Sequence, residues 1–327
     1  MFKKILPFLV LIIFVLVWYV WFYEPAHPTS IATSNTQSNL SLYVQPQAGR
    51  NPIVDVINNA QKEVLVEIYL LSDRSVINAI LSAKERSVAV KIIIECHPFG
   101  GGNINSKTKK ELEEKKIETK CASDRFALTH EKMVLVDNET VFILSQNLTT
   151  TSFDKNREYD ILDKNKEDIA EIRKIFFADW ENKTFTPTLT NIIESPNNAR
   201  AGLTDFISSA QREIDIEMEV ISDSAIINLL IEKAKSIKVN LLLPTTKQIA
   251  ANKKEIEGVS VKTISTPYMH AKMILVDGKR AYVGSINLTA ASIDENRELG
   301  IILSQSDLIE NIAGTFESDW NGATIFP

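Results

Sequence analysis

Two stretches decide how this chain is read: His130-Glu-Lys-Met-Val-Leu-Val-Asp137 and His270-Ala-Lys-Met-Ile-Leu-Val-Asp277. They lie 140 positions apart, and the same offset aligns the following fifty residues without a gap. Ser145 falls on Ser285, Asn147-Leu-Thr on Asn287-Leu-Thr, Asn156-Arg157-Glu158 on Asn296-Arg297-Glu298, and Asp179-Trp180 on Asp319-Trp320. Upstream the copies align at 150 positions, with Ala60-Gln61 and Ser72-Asp73 on Ala210-Gln211 and Ser222-Asp223. The first copy therefore carries about ten extra residues, placed near Cys96–Ser106, where Gly100, Gly101 and Gly102 mark a loop. A period this long is a duplicated domain, not a solenoid. The copies span about 41–186 and 187–327.

Within each copy, strand-like and helix-like patterns alternate. In the first, Glu63–Leu70, Val88–Glu95, His130–Asp137, Thr140–Ser145 and Arg157–Leu162 read as strands. Asp73–Arg86, Ser106–Lys116 and Glu167–Trp180 read as helices. The second copy repeats the order, which predicts α/β layers with helices covering a mixed sheet in each copy. Met-Val-Leu-Val and Met-Ile-Leu-Val are apolar at every position, as in a strand buried on both faces.

Residues two apart on a strand share a face, so His130 projects with Lys132 and His270 with Lys272. Asp137 and Asp277 are seven positions on, face away, and read as structural anchors. A single histidine beside an apolar strand is ordinarily a satisfied interior residue. Here the same polar set recurs, with 17 positions from His to Asn and 28 from His to Glu in both copies. Common ancestry explains the equal spacing. It does not explain polar residues inside core-like runs, because burying them unpaired is costly. Two copies packed face to face would satisfy them in one pocket holding two imidazoles, two ammonium groups and two carboxamides. Lys132, Lys272, Asn147 and Asn287 suit phosphate oxygens and developing negative charge. One imidazole suits attack on phosphorus and the other proton donation to the leaving oxygen, with a nearby Glu to orient each ring.

The pattern His-x-Lys-x4-Asp-x6-Gly-Ser-x-Asn is complete at His270, Lys272, Asp277, Gly284, Ser285 and Asn287. The first copy carries it at His130, Lys132, Asp137, Ser145 and Asn147, with Leu144 in place of glycine. The chain resembles the phospholipase D superfamily in its two-motif, single-chain form, over about 41–327. The resemblance implies a pseudo-twofold bilobal fold of two α/β/α lobes with mixed sheets and one active site between them. It also implies a covalent phosphohistidine formed without metal or cofactor. On that pattern His130 is the nucleophile and His270 the general acid. Glu158 and Glu298 orient the rings, and Ser145 and Ser285 join the lysines and asparagines in holding substrate. One chain suffices, with no obligate oligomer. Leu144 removes backbone freedom near Ser145 and affects fine substrate geometry in the first copy.

Composition narrows the class. Among 327 residues there are four histidines, of which His27 lies in the linker and His97 in a loop. A three-histidine metal site would need nearly all of them. The two cysteines, Cys96 and Cys121, end successive predicted strands: either they form a disulfide or they are separate thiols. The net charge is -6, and Lys3 and Lys4 are the only charges before Glu24, so the remainder carries -8. A globally basic nucleic-acid surface is not indicated.

The run Ile5–Tyr23 is uncharged and nearly long enough to cross a bilayer, with aromatic residues at its distal end and lysines before it. It reads as an anchor (1–23) that leaves the body extracytoplasmic, with a cleaved signal peptide as the alternative. Residues 24–40, rich in Pro, Ser, Thr and Asn, read as a flexible tether. Function is expected to be phospholipase D hydrolysis or phosphatidyl transfer on phospholipid, with an exported or anchored nuclease as the rival and a non-catalytic binding protein as a third reading.

Overall fold

The apolar runs fold as strands, because β-branched side chains fit a pleated, doubly covered surface. The structure is a computed structural model that describes residues 39–100, 102–245, 256 and 258–325. The expected anchor, and all of the tether but its last two residues, lie outside the described residues. Among the described residues no helix is long and apolar enough to cross a membrane.

The first sheet contains β1 (Leu40–Gln45), β2 (Glu63–Ile68), β3 (Ala89–Ile94), β4 (Glu118–Cys121), β5 (Lys132–Val136), β6 (Thr140–Leu144) and β7 (Asn156–Asp163). The second contains β8 (Ile192–Ser195), β9 (Glu213–Met218), β10 (Lys238–Pro244), β11 (Ser260–Ile264), β13 (Lys272–Val276), β14 (Arg280–Gly284), β15 (Glu298–Leu303) and β16 (Thr324–Ile325). The first runs β1-β7-β6-β5-β2-β3-β4 and the second β8-β15-β14-β13-β9-β10-β11-β16, so corresponding strands occupy corresponding places. β2, β3 and β4 run parallel, while β5, β6, β7 and β1 are antiparallel to their neighbours, which makes the sheet mixed. β5 and β13 are buried at every position, as their apolar runs predict.

Repeated residues outside the site close the fold. Asp73 and Asp223 cap the helices Arg74–Glu85 and Ser224–Ala234, accepting from Val76 and Ile226 backbone N–H among others. Thr149 and Thr289 cap the short helices Thr150–Lys155 and Ala290–Asp294. Asp137 and Asp277 sit in the turns after β5 and β13 at φ of 57° and 55°. Their carboxylates accept from three successive backbone N–H groups, at Gln61, Lys62 and Glu63 and at Gln211, Arg212 and Glu213. Each Asp thus ties the entry of the neighbouring strand to the turn, at the opposite end of its own strand from the histidine.

The two sheets pack through one core that draws residues from both, including Leu65, Met133, Leu135 and Tyr159 with Met273, Leu275, Val283 and Leu299. Two further cores lie under the helices of each copy. Ion pairs cross the central one. Arg157 on β7 binds Asp319, and Arg297, just before β15, binds Asp179. The repeated Asn-Arg-Glu and Asp-Trp segments therefore recognise one another between copies.

The sequence pattern places His130 in a strand with Lys132. The structure begins β5 at Lys132 instead, because His130 N–H leaves the ladder and donates to Arg297 O at 2.8 Å. On the other side the short strand β12 (Tyr268–Met269) runs parallel to the start of β7, and His270 N–H donates to Arg157 O at 3.3 Å.

Leu144, where the repeat has Gly284, is wholly buried in the core of the first copy. A Cβ on Gly284 would lie 2.4 Å from Gly300 Cα and 2.7 Å from the Tyr282 hydroxyl. In the first copy the counterparts of Gly300 and Tyr282 are Asp160 and Phe142, so the tyrosine hydroxyl is missing there, and Leu144 is buried in that place.

Candidate active site

Each histidine is built from both copies. Its backbone is tied one residue before the opposite copy's glutamate, and its ring reaches that glutamate. His130 Nδ1 lies 2.9 Å from Glu298 Oε2, and His270 Nδ1 lies 2.6 Å from Glu158 Oε1. The sequence spacing of 28 links each His to the Glu of its own copy, and the structure exchanges them. Both glutamates are fully buried. Glu158 accepts from Ser145 Oγ at 2.7 Å and Asn156 Nδ2 at 3.1 Å. Glu298 accepts from Ser292 Oγ at 2.9 Å and Asn296 Nδ2 at 3.3 Å. Burial pushes the Glu298 carboxyl up, but His130 and Lys132 outweigh it and hold the group below its ordinary range. With Nδ1 held by a carboxylate, the ring nitrogen left for chemistry is Nε2.

Ser145 and Ser285 were expected to touch substrate. They instead lie beneath the site, wholly buried. Ser145 supports Glu158 and accepts from Tyr159 N–H, and Ser285 bonds to the Leu299 backbone.

Lys132 and Lys272 are wholly buried, and each ammonium donates to the carbonyl oxygen of its own histidine. Burial pulls Lys132 down to about 7, against the attraction of Glu298 and with repulsion from Lys272. Burial also lowers His130, although Glu298 pulls the other way. The Asn147 carboxamide is buried, and its Oδ1 has no hydrogen-bond partner among the described residues. Asn287 accepts from Val220 N–H at 3.3 Å.

Two residues escaped the sequence reading. Tyr69 packs edge-on against His130, with ring centroids 4.7 Å apart, and lies 5.3 Å from the Lys132 ammonium. Its positional counterpart, 150 residues on, is Glu219. Glu219 Oε2 lies 2.9 Å from Lys272 Nζ, 3.4 Å from Asn287 Nδ2 and 3.4 Å from His270 Nε2. Burial raises its pKa, but His270 and Lys272 together bring the group far below an ordinary carboxylate. The repeat could have exposed the pair, because the copies share their His, Lys, Asn and Glu residues but differ at this position.

Among the described residues, one set of acids could hold a cation. Glu67, Glu131 and Asp179 are buried with ligand atoms within 4.8 Å of one another. Asp179 already serves Arg297 and Arg125, which leaves Glu67 and Glu131 facing each other. Cys96 and Cys121 form a disulfide, the first of the two expected alternatives. It lies where β3 and β4 end together. His97 is an exposed loop residue.

The family model described as a cardiolipin synthase, phospholipase D-like domain matches the chain twice, at residues 53–180 and 203–320. The chain belongs to the phospholipase D superfamily. Among curated relatives it is 23% identical over 226 residues to the probable cardiolipin synthase YwiE of Bacillus subtilis, covering 58% of this chain and 45% of that protein. It is 36% identical over 73 residues to the mouse 5'-3' exonuclease PLD4, covering 22% of this chain and 14% of that one. The chain thus spans less than half of either relative. Among solved structures it superposes on the phosphatidylserine synthase of Haemophilus influenzae with a TM-score of 0.66 at 12% identity, covering 88% and 87% of the two chains. At that identity the likeness is one of fold.

Proposed function

We propose that the protein is a phosphodiesterase of phospholipids, hydrolysing them or transferring a phosphatidyl group through a phosphohistidine, with no metal in the reaction. The observation that carries the reading is the exchanged pairing of His130 with Glu298 and His270 with Glu158, which leaves two Nε2 atoms for one phosphodiester.

His130, lowered by burial, serves as nucleophile in its neutral form. Its Nε2 lone pair attacks phosphorus as the bond to the leaving alcohol breaks. His270, whose two ring nitrogens both face carboxylates, donates its Nε2 proton to the departing oxygen. A water, or a second alcohol in transfer, then loses its proton to His270 and attacks phosphorus. The P–N bond breaks and both rings regain their starting states. Glu298 supports positive charge on His130 while the adduct exists, and Lys132, Lys272, Asn147 and Asn287 bind the non-bridging oxygens.

Phospholipid is favoured over nucleic acid by the acidic body, because a long polyanion needs a basic track and a single headgroup phosphate does not. The uncharged run Ile5–Tyr23 anchors the body beside its substrate, outside the cytoplasm. The test is an assay of the full chain with EDTA on phosphatidylcholine and phosphatidylglycerol vesicles and on single-stranded DNA. Release of headgroup or phosphatidyl product with intact DNA supports the reading, and DNA cleavage alone overturns it. Trapping an acid-labile, base-stable phosphate on His130 identifies the nucleophile, and full activity in His130→Ala removes it.

A further inference from the structure

Among the described residues, five large apolar side chains are exposed: Phe99, Ile104, Val220, Tyr268 and Ile325. Four of the five belong to segments that border the histidine pocket, and they come from both copies. The Phe99 carbonyl accepts from the Tyr69 hydroxyl at 3.0 Å, and Tyr69 packs on His130. Ile104 precedes Asn105, whose carboxamide donates to Tyr69 O at 2.6 Å. Val220 follows Glu219 and donates its N–H to Asn287. Tyr268 lies two residues before His270, with ring centroids 6.5 Å apart. Phe99 is 88% exposed and stands between Pro98 and Gly100, in a loop held by the Cys96–Cys121 disulfide.

We infer that these residues form an apolar rim that docks the mouth of the site onto the surface of a zwitterionic phospholipid bilayer, with Phe99 as the principal inserting side chain. The inference rests on the phospholipid reading above and adds to it how the substrate is reached. Exposed apolar groups clustered on one face mark an interaction surface, and two observations specify the occupant.

The first is the order of polarity. Apolar side chains lie outermost and the buried cations Lys132 and Lys272 lie within, which is the order of acyl chain and phosphate in a lipid lifted partly from its layer. The second is charge. Cys96–Ser106, Glu219–Asp223 and Ser265–Met269 contain no Lys or Arg. A nucleic acid held by base stacking still needs basic groups for its backbone, and an anionic membrane needs them for its headgroups. A zwitterionic surface needs neither.

The test uses the full chain with Trp18 and Trp21 replaced by phenylalanine, reconstituted in phosphatidylcholine vesicles containing brominated lipid. Phe99→Trp is introduced as the probe against that parent. Docking predicts blue-shifted emission from residue 99, quenched by the bromine and shielded from aqueous iodide. Unshifted emission that iodide quenches freely, or shielding given by single-stranded DNA and not by vesicles, overturns it. A second arm compares rates for the wild-type chain and Phe99→Ser. About a tenfold loss is expected on vesicles, the worth of one aromatic side chain removed from water, with an unchanged rate on monomeric dibutyroyl phosphatidylcholine. Equal loss on both substrates assigns Phe99 a structural role and overturns docking. The probe reads binding without turnover. Docking without lipid cleavage therefore defeats the phospholipid reading alone, and lipid cleavage without docking defeats the rim alone.

Discussion

Glu298 of the second sheet holds Nδ1 of His130, which stands at the head of the first, at 2.9 Å, and Glu158 returns the contact to His270 at 2.6 Å. In neither copy does the repeated glutamate hold Nδ1 of its own copy's histidine. The exchange follows from the backbone, since each histidine N–H is bound to the residue just before the opposite glutamate.

Glu298→Gln keeps the shape and removes the charge that supports a cationic His130 adduct. Its kcat is expected to fall about 10²–10⁴-fold, the usual worth of a general acid–base partner, with little change in KM. Glu158→Gln should fall comparably. Because both serve one reaction, the double variant should lose much less than the product of the two single losses. Steady-state kinetics on the three variants decides, and independent additive losses would break the picture of one shared site.

Much of this was legible in the sequence, and the reason is duplication. A lone His130 in an apolar context says little, but His130 and His270 with matched Lys, Asn and Glu partners pick out the pocket. The succession of strands and helices along each copy and the buried β5 and β13 follow from local pattern. Partner choice did not follow, because spacing measures positions along one chain while the exchange of Glu158 and Glu298 is made by two surfaces meeting. Ser145 and Ser285 could not be placed from position alone, since one turn of the backbone separates a side chain that touches substrate from one that supports a glutamate. Tyr69 and Glu219 were missed because attention to repeated residues hides positions where the copies differ.

Glu219 occupies, on Lys272, Asn287 and His270, the place of an anionic oxygen. A phosphate entering the site must displace it or accept its repulsion. Glu219→Gln is therefore expected to tighten product-like inhibition, lowering the Ki of inorganic phosphate about tenfold, the order of one close charge contact in a partly solvated site. Weaker phosphate binding would mean that the carboxylate serves chiefly to position Lys272.

The Cys96–Cys121 bridge closes a segment with a sequence separation of 25 that contains the Phe99 loop and the helix Ile104–Glu114. Opening it is expected to cost about 2–4 kcal/mol by the chain-entropy account. The Cys96→Ser, Cys121→Ser double variant should melt lower by several degrees. Its rate on lipid should fall because the loop bears on Tyr69 through the Phe99 carbonyl. Thermal melts and lipid assays with and without reductant test this, and an unchanged melting temperature would show that the bridge adds nothing to the fold.

The last prediction concerns Glu131, which stands between His130 and Lys132 where the second copy has Ala271. It faces Glu67, with neither carboxylate hydrogen-bonded. Burial raises Glu131 to about 8; Arg297 opposes the rise, Asp179 and Glu298 add to it, and Lys132 opposes it. Glu67 is raised as well, by burial and by Glu131. A carboxyl held protonated by the fold loses its proton in the unfolded chain near its ordinary value of 4.5. The contribution of this group to stability is therefore complete below that value. It declines as pH rises from about 4.5 to about 8, and is constant beyond. Glu131→Gln stays neutral throughout and offers an amide N–H to the Glu67 carboxylate. The variant should gain melting temperature relative to wild type as pH rises from 5 to 8.5, by at least about 1 kcal/mol or a few degrees. Differential scanning calorimetry at the two pH values checks the sign: a benefit that is equal at both, or larger at pH 5, would show that the pair does not share a proton in the folded protein.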